Sequence, residues 1–120
     1  FADFCLNERS YFLNIKLGKS GGIHVALKIN AVAEAAASKC MIGCFGESRL
    51  ALSAAAHLAM AKPNIYFLDL DSAFDFKTDP VIGGIEYDKA IGGLIHMSDS
   101  TGHGASFNED YFDDKIIINV

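Results

Sequence analysis

Apolar and polar positions recur with clear periods along most of the chain. Residues 11–17, Tyr-Phe-Leu-Asn-Ile-Lys-Leu, are aromatic and aliphatic with Lys16 near the end, and they read as a strand. Gly18, Ser20, Gly21 and Gly22 then punctuate a turn, the paired glycines supplying its tight dihedrals. Over residues 23–37 the period becomes helical: Val25, Ile29, Val32 and Ala36 fall on one face, which is predicted to be buried. His24, Lys28 and Glu34 are its polar relief. Residues 39–42 form a short buried strand, and residues 43–47 form a loop. Ser48 is placed to cap a helix over residues 49–62, which Pro63 stops. The alanines and serines of that helix allow close packing on a sheet. Residues 64–70 make a third strand, with Asp69 and Asp71 at its C-terminal end. Residues 81–87 and 90–97 read as a hairpin turning at Asp88 and Lys89. A glycine-rich turn at 101–105, a short acidic helix at 108–115 and an apolar run at 116–120 complete the chain.

The order strand, helix, strand, helix, strand is that of a parallel α/β unit, because each helix is long enough for a right-handed crossover. Ligands of such units gather at the C-terminal strand ends. Lys16, Cys44, Glu47, Asp69 and Asp71 all fall there. The 120 residues set one domain or less and cannot close an eight-stranded barrel, which takes about 250 residues. At 51% hydrophobic and 21% charged residues the chain is not disordered. No apolar run approaches the roughly 18 residues that span a bilayer, so no membrane partner is expected. Ten basic against fifteen acidic residues give −5 with no basic patch, so no nucleic acid is expected either. Cys5, Cys40 and Cys44 form no C-x-x-C pair and lack zinc-ligand spacing. An odd cysteine count without a secretory signal predicts reduced thiols and a cytoplasmic location. Starting at Phe1 rather than Met, the chain reads as a piece of a longer one.

Three stretches carry chemistry: Asn14-Ile-Lys-Leu-Gly-Lys-Ser-Gly-Gly22; Gly43-Cys-Phe-Gly-Glu-Ser-Arg49 followed by Ala54-Ala-Ala-His57; and Asp69-Leu-Asp71 trailed by Asp79-Pro-Val-Ile-Gly-Gly84. In this order and spacing they resemble the C-terminal part of the muconate-lactonizing branch of the enolase superfamily. The likeness is greatest to its dipeptide epimerases, of the L-Ala-D/L-Glu type. It covers residues 12–105, and residues 1–5 less fully. The resemblance implies a capping domain over a modified α/β barrel, and Mg²⁺ held by three acidic residues. It also implies two lysines on opposite faces of the substrate that exchange its α-proton. The physics fits. A proton beside a carboxylate is very weakly acidic, and the ene-diolate left by its removal needs a cation. A lysine serves as base only when its pKa falls toward neutrality.

By this resemblance Lys16 is one acid/base lysine, whereas by position alone it is a strand-end lysine that snorkels to solvent. Asp69 and Asp71 flank Leu70, so on a strand both carboxylates face one side. The resemblance makes them the grip on the substrate's α-ammonium group; the plain alternative is a pair of loop carboxylates, and metal ligation is a third. Cys44 and Phe45 lie in the loop that contacts substrate in the family. Glu47 either sits beside the reacting centre or caps the following helix. Lys19 reads as structural or solvent-exposed, and His57 as a packed, hydrogen-bonded helix residue.

Asp3 matches the strand end that supplies the third metal carboxylate, but Phe4 follows it where the family has Glu. Only twelve residues separate Asp3 from Lys16, too few for a helix, its loops and the strand residues. The other metal carboxylates, the partner lysine and the capping domain have no counterpart in the sequence. The expected fold is therefore α/β, a partial TIM-type barrel of about three parallel βα units plus a C-terminal hairpin. Residues 1–76 are expected to form the barrel part, and residues 77–120 a hairpin and tail that pack on a capping domain. The expected function is Mg²⁺-dependent epimerisation of a small dipeptide in a complete protein, with this chain inactive alone. The alternatives are a cycloisomerase or o-succinylbenzoate synthase, whose substrates carry no ammonium, or a non-catalytic remnant. An exposed apolar sheet edge is then expected to drive self-association as a homo-oligomer.

Overall fold

The computed structural model describes residues 12–112. Three short strands rich in aromatic and β-branched residues form one parallel sheet. They are β1 (Phe12–Ile15), β2 (Lys39–Ile42) and β3 (Ile65–Leu68), in the order β1-β2-β3. Leu13 pairs with Cys40 and Ile15 with Ile42; Cys40 pairs with Ile65, and the register slips by a residue after Cys40. Residues opposite one another in a parallel pair share a face. Leu13, Ile15, Cys40, Ile42 and Ile65 therefore line the face that joins the core. Phe12, Asn14, Lys39, Met41 and Phe67 line the other, where the Phe12 and Phe67 rings lie 5.0 Å apart.

Between β1 and β2 the chain makes a one-turn helix, α1 (Leu17–Ser20), then α2 (Ile23–Ala35). The predicted turn joins the two helices: Gly21 and Gly22 take φ of 87° and 90°, and the Gly21 N–H closes on the Leu17 carbonyl. The predicted strand 11–17 is thus shorter, because Leu17 begins a helix. The buried face of α2 is a partial correction: Ile29 of the expected stripe packs against the core, but the stripe does not lie there as a whole. Ala26, Asn30 and Ala33 face the core, whereas Val25 and Val32 are exposed. Small side chains let the helix axis approach the sheet, and that decides which of two adjacent stripes turns inward.

Between β2 and β3 lies α3 (Arg49–Met60). Ser48 occupies its N-cap position, but the hydroxyl makes no capping bond. Leu52, Ser53, Ala55 and Ala56 are fully buried. The core is contiguous from Ile15 through α2 and α3 to Leu70 and Ile85.

After a 3₁₀ turn at Ser72–Asp75 come four strands of two or three residues: β4 (Val81–Gly83), β5 (Glu86–Tyr87), β6 (Ile95–His96) and β7 (Ala105–Phe107). The predicted hairpin is half right. β5 and β6 pair antiparallel, but across a seven-residue connection, 88–94, rather than a two-residue turn at Asp88 and Lys89. β4 leaves the predicted strand and pairs with β7 instead. The break falls at Gly84, whose φ is 77°, and a Cβ there would lie 2.3 Å from Ser53 Oγ. The acidic segment makes a 3₁₀ turn at Glu109–Phe112, and the apolar run 116–120 lies outside the described residues. Among the described residues no helix is long and apolar enough to cross a membrane.

Candidate functional site

The C-terminal ends of β1, β2 and β3 are drawn together by ladder bonds that continue past the strands. The Gly43 N–H donates to the Ile15 carbonyl at 2.9 Å, and the Asp69 N–H donates to the Ile42 carbonyl at 2.8 Å. Lys16 follows β1 on the face opposite the core, half-buried, and its Nζ donates to the Cys44 carbonyl at 2.6 Å. The buried Cys44 thiol in turn lies 3.5 Å from Asp71 Oδ1 as donor. Lys16, Cys44 and Asp71, on three different strand ends, thus form one continuous polar chain. Asp69 and Asp71 are exposed on either side of Leu70, which is buried at 3% exposure. Burial alternates over Asp69, Leu70 and Asp71, although β3 itself is exposed after Ile65, so both aspartates are exposed.

The loop after β2 lies over α1. Phe45 is half-exposed above Gly18, where a Cβ would fall 2.7 Å from its ring, and Lys19 Nζ stands 5.2 Å from the ring centroid. That cation–π contact adds a role that the expectation for Lys19 did not contain. Glu47 is held through its backbone. Its N–H donates to Ser72 Oγ at 3.1 Å, and the same hydroxyl donates to the Glu47 carbonyl at 2.9 Å. Its carboxylate lies toward Gly18. His57 Nδ1 faces the Ser53 carbonyl at 2.8 Å, as a packed helix histidine does.

Three further residues frame this site. Ser72 ties the Asp69–Asp71 segment to the Glu47 loop. The Tyr87 hydroxyl donates to the Leu70 carbonyl, between the two aspartates. Burial pushes that phenol up to about 12, helped by the nearby Cys44, Asp71 and Asp79 and opposed by Arg49. Arg49 pairs with Asp79 and donates to the carbonyls of Val81, Gly83 and Ile85 at 2.6, 2.9 and 2.7 Å. Arg49 and Asp79 both stand in the quoted motifs, and an arginine opening a helix with an acid thirty residues on was the signal available. Nothing in the local sequence points to Ser72 or Tyr87. An open groove of about 680 Å³ runs beside Tyr87, lined also by Arg49, Phe74, Asp79, Glu86 and Asp88.

The described residues do not fit a metal site. Among them no three His, Cys, Asp or Glu side chains are grouped to hold an ion. Asp3 and Cys5 lie outside the described residues. Cys40 is a buried thiol whose pKa burial raises, against an opposing hydrogen bond from Asn64.

The family model described as enolase C-terminal domain-like matches residues 1–111. An L-Ala-D/L-Glu epimerase of Bacillus subtilis (strain 168) is 47% identical over 77% of this chain and 24% of its own length. A hydrophobic dipeptide epimerase of Enterococcus faecalis is 46% identical over 78% of this chain and 26% of its own. Among solved structures, the dipeptide epimerase of Cytophaga hutchinsonii complexed with Mg and the dipeptide D-Ala-L-Val matches with a TM-score of 0.77 at 42% identity. The match covers 84% of this chain and 27% of that one. The substrate-liganded L-Ala-D/L-Glu epimerase from Bacillus subtilis matches with a TM-score of 0.73 at 46% identity, over 78% and 25% of the two chains. The chain spans about a quarter of the length of the curated relatives it matches.

Proposed function

The chain belongs to the enolase C-terminal domain-like family, and we propose that it supplies one arc of the active site of a dipeptide epimerase. The observation that carries this reading is the polar chain from Lys16 through Cys44 to Asp71, across three adjacent C-terminal strand ends. In this reading the three parallel units are part of a barrel that other residues complete. The Lys16 amine takes the α-proton of the dipeptide's C-terminal residue from one face, and a donor outside these residues returns a proton to the other. The configuration at that carbon inverts while every other bond is kept. Asp69 and Asp71 accept hydrogen bonds from the substrate ammonium, charge-assisted on both sides. The Cys44 carbonyl fixes the lysine head in the resting state, and Phe45 and Glu47 border the substrate from the same loop. Mg²⁺ is the ion of the Cytophaga neighbour. Its ligands in a complete protein would lie outside residues 12–112, with Asp3 as one candidate, and no step here runs through it.

The test uses the complete protein encoded by the reading frame that contains this chain. With Mg²⁺ and Ala-Glu in D₂O, proton NMR should show deuterium entering the α position of the glutamate. Lys16→Ala should slow inversion at that carbon at least about 100-fold, the low end for losing a positioned acid/base group. Inversion that survives within tenfold removes Lys16 from the chemistry. The isolated 120 residues should show no such exchange.

A further inference from the structure

The Asp69–Asp71 segment leaves the sheet after Leu68, yet it is pinned at three points. The Asp69 N–H is held by the Ile42 carbonyl, and Ser72 is locked in both directions to Glu47. The third point comes from the C-terminal region: the Tyr87 hydroxyl on β5 reaches the Leu70 carbonyl. Leu70 is the residue between the two carboxylates. Its carbonyl lies in the peptide plane shared with Asp71, so the bond restrains the plane that carries Asp71, while Asp69 is held by its own N–H. The tyrosine is itself braced, since the Phe74 ring lies 4.5 Å from its own at 44°.

We propose that Tyr87 is a positioning residue for the aspartate pair, so that the β5–β6 hairpin sets how tightly the substrate ammonium is held. The inference rests on the dipeptide reading above and extends it to a residue that does not touch substrate. The hydroxyl suits the task. With its pKa pushed up to about 12, it stays a donor at any working pH. The ammonium contact is made equally in the ground and transition states, because it is remote from the reacting carbon. Weakening it therefore raises KM and leaves kcat alone. A tyrosine that merely supported the fold would act differently, since its loss would lower the fraction of active enzyme, and so kcat, at unchanged KM.

The test is Tyr87→Phe in the complete protein, which removes the donor and keeps the ring. KM for Ala-Glu should rise about fivefold, the equivalent of one net hydrogen bond, with kcat within about twofold. Amide hydrogen exchange at Glu47, Asp69 and Phe74, whose N–H groups are bonded to Ser72 Oγ and to the Ile42 and Asp71 carbonyls, should quicken about fivefold while that of β2 stays unchanged. Phe74→Leu should shift KM in the same direction by less. A fall in kcat at constant KM overturns the proposal, as does unchanged exchange at the three amides. If the wild-type protein acts on no dipeptide, the dipeptide reading fails. The exchange data then still decide whether Tyr87 holds the segment.

Discussion

Residues 12–70 and residues 77–112 are held by different forces. The first region is built on burial. Regular strands and helices of matched length bring Ile15, Ala26, Ala33, Cys40, Ile42, Leu52 and Ala55 into one cluster, each at most 1% exposed. The second has strands of two or three residues, and Ile85 is its one fully buried residue in that cluster. What holds it is polar and borrowed. Arg49 on α3 donates to the carbonyls of Val81, Gly83 and Ile85, alternate residues along β4 and the segment that follows it, and Ser53 Oγ accepts the Ile85 N–H at 2.9 Å. The site lies where the two regions meet, with its lysine on the first and the brace of its aspartates on the second. A contiguous core thus fixes Lys16, while a clasped, more locally stabilised element braces the segment that carries Asp69 and Asp71.

The strongest way to break this comparison is to cut into the shared core. Leu52 on α3 is fully buried. Leu52→Ala should cost about 2–5 kcal/mol, since both the transfer term and the residual cavity count against it. Urea unfolding should show the whole transition move. A loss under about 1 kcal/mol would mean that α3 is not the common foundation of both regions.

The two regions also differed in how far they could be read from the sequence. The α/β unit is legible because its order rests on local periodicity: each strand and helix announces itself within about ten residues. The positions of Lys16, Cys44, Asp69 and Asp71 at strand ends follow from that order. The inward face of α2 is not legible from periodicity, because Val25 and Val32 give a stronger apolar signal than Ala26 and Ala33, whereas close packing on a sheet selects the smaller side chains. The β4–β7 pairing was invisible because the partners are over twenty residues apart, and such short strands carry no alternation. Tyr87 acts through one hydrogen bond to backbone and Ser72 through two, and these leave no mark on composition or spacing.

The Arg49 clasp gives a sharper test at smaller amplitude. Arg49→Leu keeps most of the stem's apolar area and removes all four of its bonds, leaving Asp79 and three carbonyls to find water. A local loss of about 2–3 kcal/mol is expected, the range for hydrogen bonds from a charged donor. Amide exchange over residues 81–87 should rise accordingly, with β2 protected as before. An equal rise in both regions would show one cooperative unit and erase the distinction.

The smallest effect lies at the far end of the second region. Asp88 sits where β5 enters its connection, and His96 on β6 closes it, Nε2 to Oδ2 at 2.9 Å. Oδ1 accepts from the Ala90 and Ile91 amides at 2.7 and 2.8 Å. The histidine bond first, and the two amides after it, lower the carboxyl to about 2. A carboxyl lowered on folding gives stability that is full above its unfolded value, near 4, and lost as pH falls through the folded one. The hairpin should therefore loosen between about pH 4 and pH 2, while the buried α/β unit gains no corresponding pH dependence from this pair. His96→Ala, which removes the ring donor, should raise the Asp88 titration midpoint, read from its side-chain carbon shift, part of the way back; the two amides keep it from returning fully. A midpoint unmoved by that change would transfer the whole effect to the amides. The connection alone, rather than its pairing across β5 and β6, would then be what the carboxylate holds.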